Sequence, residues 1–299
     1  VMNWTEVRVT SPLGWHELVA EALALGPCTS VAVGATRIGG DIPPDGFHHV
    51  RTFIPTDTDT PQLREQIRTA LDLVGERTGM DELIGMDIRF HALLPEDYAT
   101  SWRKTWKPFR VGKLVLHPSW DVREVKDDEI RLLLEPGGSF GSGRHATTRT
   151  CLKVIQERGV EGSKVLDAGS GSGILSVVAK QFGAADVLAF DIDPVAEVAG
   201  AELASDNDVQ GIDFRTGGFE VLGADEGPFD VVLANIYSDI IQLHAGDLAA
   251  HLAPHGWFAF SGCPIFHYEA TRAAIDAAGF DVQEVRQRGR WVTFVGRHA

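Results

Sequence analysis

The sequence predicts an α/β protein with two domains: a small ferredoxin-like α+β domain, then a larger parallel sheet that ends in an antiparallel hairpin. Three observations support this. The 299 residues are enough for two hydrophobic cores. Residues 1–94 have the periodicity of strand, helix, strand, strand, helix, strand, whereas strands and helices alternate after residue 164. The last two strands are too close in sequence to have a helix between them.

The N-terminal region contains six predicted elements. Strands are expected at 4–10, 29–34, 47–54 and 84–94, and helices at 15–26 and 61–79. Pro61 suits a helix start and Gly79 a helix end. This order is typical of a sandwich of two helices on an antiparallel sheet. His48 and His49 point to opposite faces of one strand, so we do not expect them to share a metal ion.

The second region alternates buried strands with helices. Strands are predicted at 164–169, 186–193, 212–217, 229–235 and 256–262, and helices at 174–183, 194–207, 238–252 and 265–279. Such alternation is typical of a parallel, doubly wound sheet. The last two strands, 280–287 and 290–296, are separated by a very short turn and predict the antiparallel hairpin.

We divide the chain into an N-terminal domain at 1–94, a linker helix at 95–112 and a second domain at 113–299. In the linker, Trp102 and Trp106 share one helix face, and Pro108 ends the helix. The stretch 101–113 has five basic residues and no acidic one. These residues either dock on a domain or form a solvated helix.

Composition excludes several function classes. The net charge of −15 argues against nonspecific nucleic-acid binding but is compatible with a basic protein partner. No apolar run approaches the ~20 residues of a membrane span, and the N-terminus lacks a signal-peptide pattern. The three cysteines are far apart, which favours a reducing cytoplasm over a disulfide framework or a metal site.

The stretch VLDAGSGSG, from Val165 to Gly173, joins a predicted strand to a predicted helix. Glycines at 169, 171 and 173 allow a ligand to approach the backbone, and Asp167 directly precedes the turn. Asp191 ends the next strand, 22 positions after Gly169, where a carboxylate can accept hydrogen bonds from ribose hydroxyls; Ile192 follows it. The combination predicts a nucleoside cofactor.

The GxGxG spacing and the terminal hairpin resemble the S-adenosylmethionine-dependent methyltransferases with a Rossmann-like core. A dinucleotide oxidoreductase is the alternative, although its fingerprint is GxGxxG. Neither glycine cluster ends in Gly-Lys-Ser/Thr, which excludes a P-loop. The sequence therefore favours S-adenosyl-L-methionine as the cofactor.

A second glycine cluster, FGSGRHATT from Phe140 to Thr148, precedes a helix that is expected to start near Ala146. We expect Phe140 and Gly141 to close over the methionine end of the cofactor. Thr147 and Thr148 lie in the first helical turn, where hydroxyls and free N–H groups can bind a carboxylate. Helix capping is the alternative for the threonines. His145 either lines the reaction chamber or is a packing residue.

Several longer segments resemble one family, the bacterial methyltransferases of large-subunit ribosomal protein eleven (the PrmA family). The segments are EPGGSFGSGRHATTRTCL, VLDAGSGSGILSVVAKQFGA, FDIDPVA, FDVVLANIY, EDYATSWRKTWKPFRVGKLVLHPSW and GRWVTFVGR. The resemblance implies an N-terminal domain that recognises the protein substrate and a catalytic domain that methylates amino groups. It also implies cofactor contacts at Thr148, Gly169, Asp191 and Asn235. Ser142, Tyr98 and Ser170 depart from the family's usual residues.

We therefore expect a cytoplasmic protein-amine N-methyltransferase that acts on lysine or N-terminal amines of a ribosomal protein. Asn235, at a strand end, has an amide oxygen that can orient the amine, and Ile236 and Tyr237 can wall the methyl channel. Most of the rate acceleration would come from alignment. The alternatives are a methyltransferase for another protein or a small molecule, and a catalytically silent binding module.

Overall fold

The computed structural model describes residues 4–24, 31–33, 43–93, 107–134, 143–223 and 226–298. The chain divides into two compact units. The first comprises residues 1–107 with 136–140, and the second comprises residues 108–135 with 141–299. Among the helices of the described ranges, none has the length and apolar character needed to cross a bilayer.

The first unit has the predicted ferredoxin-like order of elements. Its elements are β1 (Trp4–Pro12), α1 (His16–Ala24), β2 (Val31–Val33), β3 (Phe47–Pro55), α2 (Pro61–Thr78) and β4 (Ile88–Leu93). The sheet order is β2-β3-β1-β4, and every neighbouring pair is antiparallel. The first and last strands of the unit are therefore neighbours, as the split arrangement of this fold requires.

Helix α2 begins and ends where local chemistry dictates. The Thr60 hydroxyl accepts a hydrogen bond from the Leu63 N–H at 3.2 Å, and Pro61 occupies the first turn. Gly79 terminates the helix in the left-handed region, with φ of 65°. The buried face repeats at three- and four-residue intervals, through Leu63, Ile67, Leu71 and Val74.

A buried ion cluster links the two central strands of the first unit. The Glu6 carboxylate lies 2.9 Å from the Arg8 guanidinium and 3.3 Å from that of Arg51. All three side chains are almost completely buried, and Arg8 and Arg51 are register partners across β1 and β3. Glu6 therefore compensates two positive charges that are largely removed from water.

We expect Glu6→Ala to lower the free energy of unfolding of the first unit by about 3–5 kcal/mol, because two buried guanidinium groups lose a shared carboxylate. Urea denaturation of the full chain, followed by tryptophan fluorescence, measures the change. Glu65→Ala is the matched control, since Glu65 is exposed on α2; its effect should stay within about 0.5 kcal/mol. Equal midpoints for the two variants would contradict the prediction.

The second unit contains a small sheet followed by a large one. The small sheet comprises β5 (Phe109–Val111), β6 (Leu114–His117) and β7 (Ile130–Leu133). The strands of the large sheet are β8 (Lys164–Ala168), β9 (Asp186–Asp191), β10 (Ile212–Thr216), β11 (Phe229–Asn235), β12 (Leu252–Pro264), β13 (Phe280–Arg288) and β14 (Trp291–His298). The helices are α3 (Ala146–Arg158), α4 (Ile174–Gln181), α5 (Pro194–Asp206), α6 (Ser238–His251) and α7 (Tyr268–Ala277).

The seven-stranded sheet has the order β10-β9-β8-β11-β12-β14-β13. The pairs from β10 to β12 are parallel, whereas β14 pairs antiparallel with both β12 and β13. The predicted parallel sheet with a terminal hairpin is therefore confirmed. The final strand lies inside the sheet, between β12 and β13, and its Phe294 and Val295 are fully buried.

The three-stranded sheet was not foreseen from the sequence. β5 pairs antiparallel with β6, and β6 pairs parallel with β7. Residues 109–111, which the sequence analysis assigned to the linker, form the first of these strands. Trp102 and Trp106 lie outside the described residues.

Candidate active site

The candidate site lies at the carboxyl edge of the large sheet, where the strand order changes direction. The chain runs outward from β8 to β9 and β10 on one side, then returns to β11 on the other side of β8. In open α/β sheets, such a switch point leaves a crevice beyond the strand ends. Asp167, Asp191 and Asn235 lie at or next to the carboxyl ends of β8, β9 and β11.

The turn after β8 is built from glycines because the space beside it is filled. Gly169, Gly171 and Gly173 have φ values of 76°, 52° and 74°, in the left-handed region that glycine tolerates best. A Cβ on Gly169 would overlap the side chain of Ile236. A Cβ on Gly173 would lie 2.8 Å from the Cα of Gly200. The glycines thus permit close packing as well as exposing backbone to a ligand.

Asp191 accepts hydrogen bonds from the turn after β8 and from the turn after β9. One carboxylate oxygen accepts from the Gly171 N–H at 2.8 Å, and the other accepts from the Asp193 N–H at 3.0 Å. The next side chain, Ile192, is 80% exposed although it is apolar. The Gly217 N–H donates to the Asp191 carbonyl at 2.8 Å, which brings the turn at 217–219 beside Asp191. The sequence analysis had not singled out this turn.

Asp167 is a fully buried carboxylate directly before the glycine turn. One oxygen accepts a hydrogen bond from the Ser176 hydroxyl at 2.6 Å. The other, Oδ1, is buried and has no hydrogen-bond partner among the described residues. Burial raises the pKa of Asp167 to about 6, and the neighbouring Asp191 charge acts in the same direction, against the hydrogen bond from Ser176.

Helix α3 starts at Ala146, as the sequence predicts, and His145 caps it. The His145 Nδ1 lies 2.6 Å from the Thr147 hydroxyl and accepts from the Thr147 N–H at 3.4 Å. The imidazole and the Trp291 indole form a T-shaped pair, with 5.0 Å between ring centroids and 69° between their planes. The predicted contributors Phe140 and Gly141 lie outside the described residues.

One long-range hydrogen bond joins α3 to the end of β11. The Asn235 Nδ2 donates to the Thr148 hydroxyl at 3.3 Å. Because the amide nitrogen is engaged, the amide oxygen is the group left to accept a hydrogen bond. That oxygen is buried and has no partner among the described residues. Asn235 and Thr148, which the sequence analysis selected separately, therefore meet at one place.

The sequence pattern of one family, described as "Ribosomal protein L11 methyltransferase (PrmA)", matches residues 3–299. The chain belongs to this family. A ribosomal protein L11 methyltransferase from Symbiobacterium thermophilum is 35% identical over 85% of this chain and 83% of that relative. One from Pelotomaculum thermopropionicum is 32% identical over 99% of each. The match therefore extends through both units.

A solved structure of an L11 methylase has a similar fold. The ribosomal protein L11 methylase from Lactobacillus delbrueckii subsp. bulgaricus is 29% identical, with a TM-score of 0.60. The similarity covers 65% of this chain and all of that one. This member of the L11 methyltransferase family is thus an S-adenosylmethionine-dependent methyltransferase with a Rossmann-like catalytic unit.

The residues at the edge of the sheet fit S-adenosylmethionine. The partnerless oxygen of Asp167 is an acceptor for an ammonium group, and the cofactor carries one on its methionine end. The Asp191 carboxylate suits ribose hydroxyls, and the exposed Ile192 offers an apolar surface to the base. Within the described ranges, no group of three or more His, Cys, Asp and Glu side chains could hold a metal ion.

Trp291 is a site neighbour that the residue-by-residue analysis missed. It begins β14, packs against His145 and is nearly buried. Its segment, GRWVTFVGR, had been noted only for its resemblance to the family. The contact spans almost half of the chain, so no local pattern could have revealed it.

We expect Asp191→Ala to weaken S-adenosylmethionine binding by about 1.5–3 kcal/mol, the range for hydrogen bonds to a charged group. Asp191→Ala also removes the acceptors for the Gly171 and Asp193 N–H groups. Asp191→Asn should weaken binding less than Asp191→Ala does, because one acceptor oxygen remains. Calorimetric titration measures both affinities. Asp186→Ala, at the opposite end of β9, is the matched control. Unchanged affinity in Asp191→Ala would contradict the ribose assignment.

Proposed function

We propose that this enzyme methylates amino groups of ribosomal protein L11, and that Asn235 orients each amine for attack. The observation that carries the proposal is the Asn235 amide oxygen, which is buried and partnerless among the described residues while its nitrogen is held by Thr148. An amine N–H is the complementary donor. Family membership supports the identity of the acceptor, since the named relatives are L11 methyltransferases.

The acceptor must reach the site as a neutral amine. A lysine amine has a reference pKa of ~10.4 and an α-amine one of ~8, so both are mostly protonated near neutrality. Removal from water lowers these values. A neutral amide at position 235 assists, because its oxygen accepts one N–H without the full negative charge with which a carboxylate would stabilise the ammonium form.

When bound, S-adenosylmethionine would supply a methyl group on a sulfonium: the amine nitrogen bonds to the methyl carbon, the carbon–sulfur bond breaks to release the thioether product, and the methylated amine gives its proton to water. We assign its ammonium to Asp167 and its carboxylate to the first turn of α3, where Thr147 and Thr148 lie. We assign the ribose to Asp191, with Gly169, Gly171 and Gly173 giving the backbone its close approach. Phe140, Gly141 and Ile192 remain predicted contacts.

His145 acts as a positioning residue in this scheme. Its Nδ1 serves the Thr147 hydroxyl and N–H, so it fixes the first turn of α3, which carries Thr148. The Trp291 indole packs against the imidazole, with 5.0 Å between ring centroids. His145 thereby acts on Asn235 through the helix start and lines the reaction chamber without taking a proton.

We assign substrate recognition to the domain predicted at 1–94 and catalysis to the domain predicted at 113–299. The linker predicted at 95–112 must end earlier, because residues 109–111 form β5. A cleft of about 380 Å³ in the N-terminal domain supports the assignment of recognition. It is lined by charged and apolar side chains that include Arg8, His49, Phe47, Met86 and Arg89. Because a ribosomal protein is the acceptor in this proposal, we place the enzyme in the cytoplasm. The net charge of −15 supports our expectation that nucleic acid is not a direct partner.

We expect cofactor affinity to fall as the pH drops below about 6. Burial raises the pKa of Asp167 to about 6 in the free enzyme, and only its carboxylate form pairs with an ammonium group. The affinity should be constant from that pH up to about 8, the reference pKa of an α-amine, and should fall by up to ~10-fold per pH unit below about 6. Calorimetric titration across this range gives the profile. Asp167→Asn should bind about tenfold more weakly or worse near neutrality and lose the pH step.

The test of function is methyl transfer to purified ribosomal protein L11, followed by mass spectrometry. The unmodified enzyme should add methyl groups to lysine or N-terminal amines. Asn235→Ala should reduce kcat by about 100-fold, the scale of a misplaced reacting group, with little change in cofactor affinity. Methylation of other ribosomal proteins but not L11, or of small amines alone, would favour the alternative acceptors.

A further inference from the structure

A long stretch of the catalytic unit has no strongly basic side chain. The chain contains 27 lysines and arginines among its 299 residues, yet none occurs at 216–271, between Arg215 and Arg272. Seven acidic residues lie in the same stretch: Glu220, Asp225, Glu226, Asp230, Asp239, Asp247 and Glu269. The stretch includes Asn235 and all of α6, so the sequence around the proposed acceptor site is acidic and repels phosphate-rich partners.

Helix α6 carries an exposed apolar stripe in this stretch. Leu243 is 73% exposed and Ile240 is 38% exposed, three positions apart on one helix face. The backbone leaves the helical conformation at His244, with φ of −108° and ψ of 15°, so this face ends after Leu243. Residues Ile240 and Leu243 are named the α6 stripe below. The opposite face of the helix, with Ile241 and Leu248, is buried against the sheet.

The α6 stripe lies close to the proposed acceptor site along the chain. Asn235 ends β11, and α6 begins three residues later at Ser238. Ile240 and Leu243 occupy its first two turns, so Leu243 lies about 8 Å along the axis from the helix start. A folded protein that presents an amine to Asn235 must cover the surface next to it, and that surface includes these turns.

The charges beside the stripe define the partner. Asp239 and Asp247 are exposed on either side of Leu243 in sequence, and Asp247 pairs with His244 at 2.8 Å. The only ionisable nitrogens of the stretch belong to four histidines. An apolar centre with acidic neighbours complements an aliphatic side chain flanked by lysine or arginine. It disfavours RNA, whose phosphates need cations.

We propose that the α6 stripe is a docking surface for the acceptor protein, occupied by a segment that places an aliphatic side chain on Leu243 and basic side chains near Asp239 and Asp247. This inference rests on the proposed function, because it assumes a protein acceptor. It adds a contact surface on the catalytic unit to the recognition assigned to the N-terminal domain. The surface acts on acceptor binding and leaves the chemical step unchanged.

The test is steady-state methylation of purified ribosomal protein L11 by the full-length enzyme. Leu243→Ala should raise KM for L11 about threefold, and Leu243→Lys about tenfold or more, because the first loses apolar contact and the second adds repulsion. The values of kcat and of the dissociation constant for S-adenosylmethionine should change by less than about twofold. For the parent enzyme, KM for L11 should rise with ionic strength, since the proposed contacts are partly electrostatic.

Val198→Ala and Val198→Lys are the matched controls. Val198 is an apolar residue on α5 with 58% exposure, outside the stripe, and its variants should leave KM for L11 unchanged. If Leu243 and Val198 variants behave alike, the docking inference is wrong while L11 methylation stands. In the absence of L11, sedimentation compares the oligomeric state of Leu243→Lys with that of the parent enzyme. A difference would show that the stripe mediates contacts between copies of the enzyme, which would also contradict the proposal. If the parent enzyme does not methylate L11, the proposed function fails, and this inference fails with it.

Discussion

The site depends on the packing of Ile236 against two glycines. On one side, Gly169 leaves the space that the Ile236 side chain occupies; on the other, a Cβ on Gly262 would overlap the Ile236 backbone. Ile236 directly follows Asn235, so these contacts fix where β11 ends and how the asparagine leaves the sheet. The glycines after β8 thus shape the acceptor side of the site as well as the cofactor side, because one close contact serves both.

In the proposed scheme, the charge of each site residue suits the protonation state of the group that it would bind. Asp167 is buried at a cost, which appears as a raised pKa, and a bound cation offsets that cost. The Asp191 carboxylate accepts from two backbone N–H groups, and its remaining lone pairs can accept from the ribose hydroxyls in the proposed scheme. The proposed acceptor position instead has the neutral amide of Asn235. A third carboxylate there would hold the incoming amine in its protonated form, which has no lone pair to attack a methyl group.

Local patterns predicted the site residues one at a time, and the sheet brought them together. Asn235 and Thr148 are 87 positions apart, but the ends of β11 and α3 meet. The contact between His145 and Trp291 arises because β14 lies within the sheet, where its first residue can approach the start of α3. The exposed stripe on α6 could be read from spacing only after the structure had shown which face is buried.

The sequence by itself determined the order and type of the elements apart from the three-stranded sheet, the glycine turn after β8 and the ferredoxin-like arrangement of the first unit. These properties follow from local periodicity and from glycine and proline, which act over a few residues. The sequence also predicted that Asp167 and Asp191 lie at the ends of two strands, which are β8 and β9. Only the tertiary structure decided that β14 lies between β12 and β13, that β5, β6 and β7 form a separate sheet, and that the Asn235 oxygen lacks a partner among the described residues. Each of these depends on which distant segments pair, and pairing is set by the packing of the whole sheet.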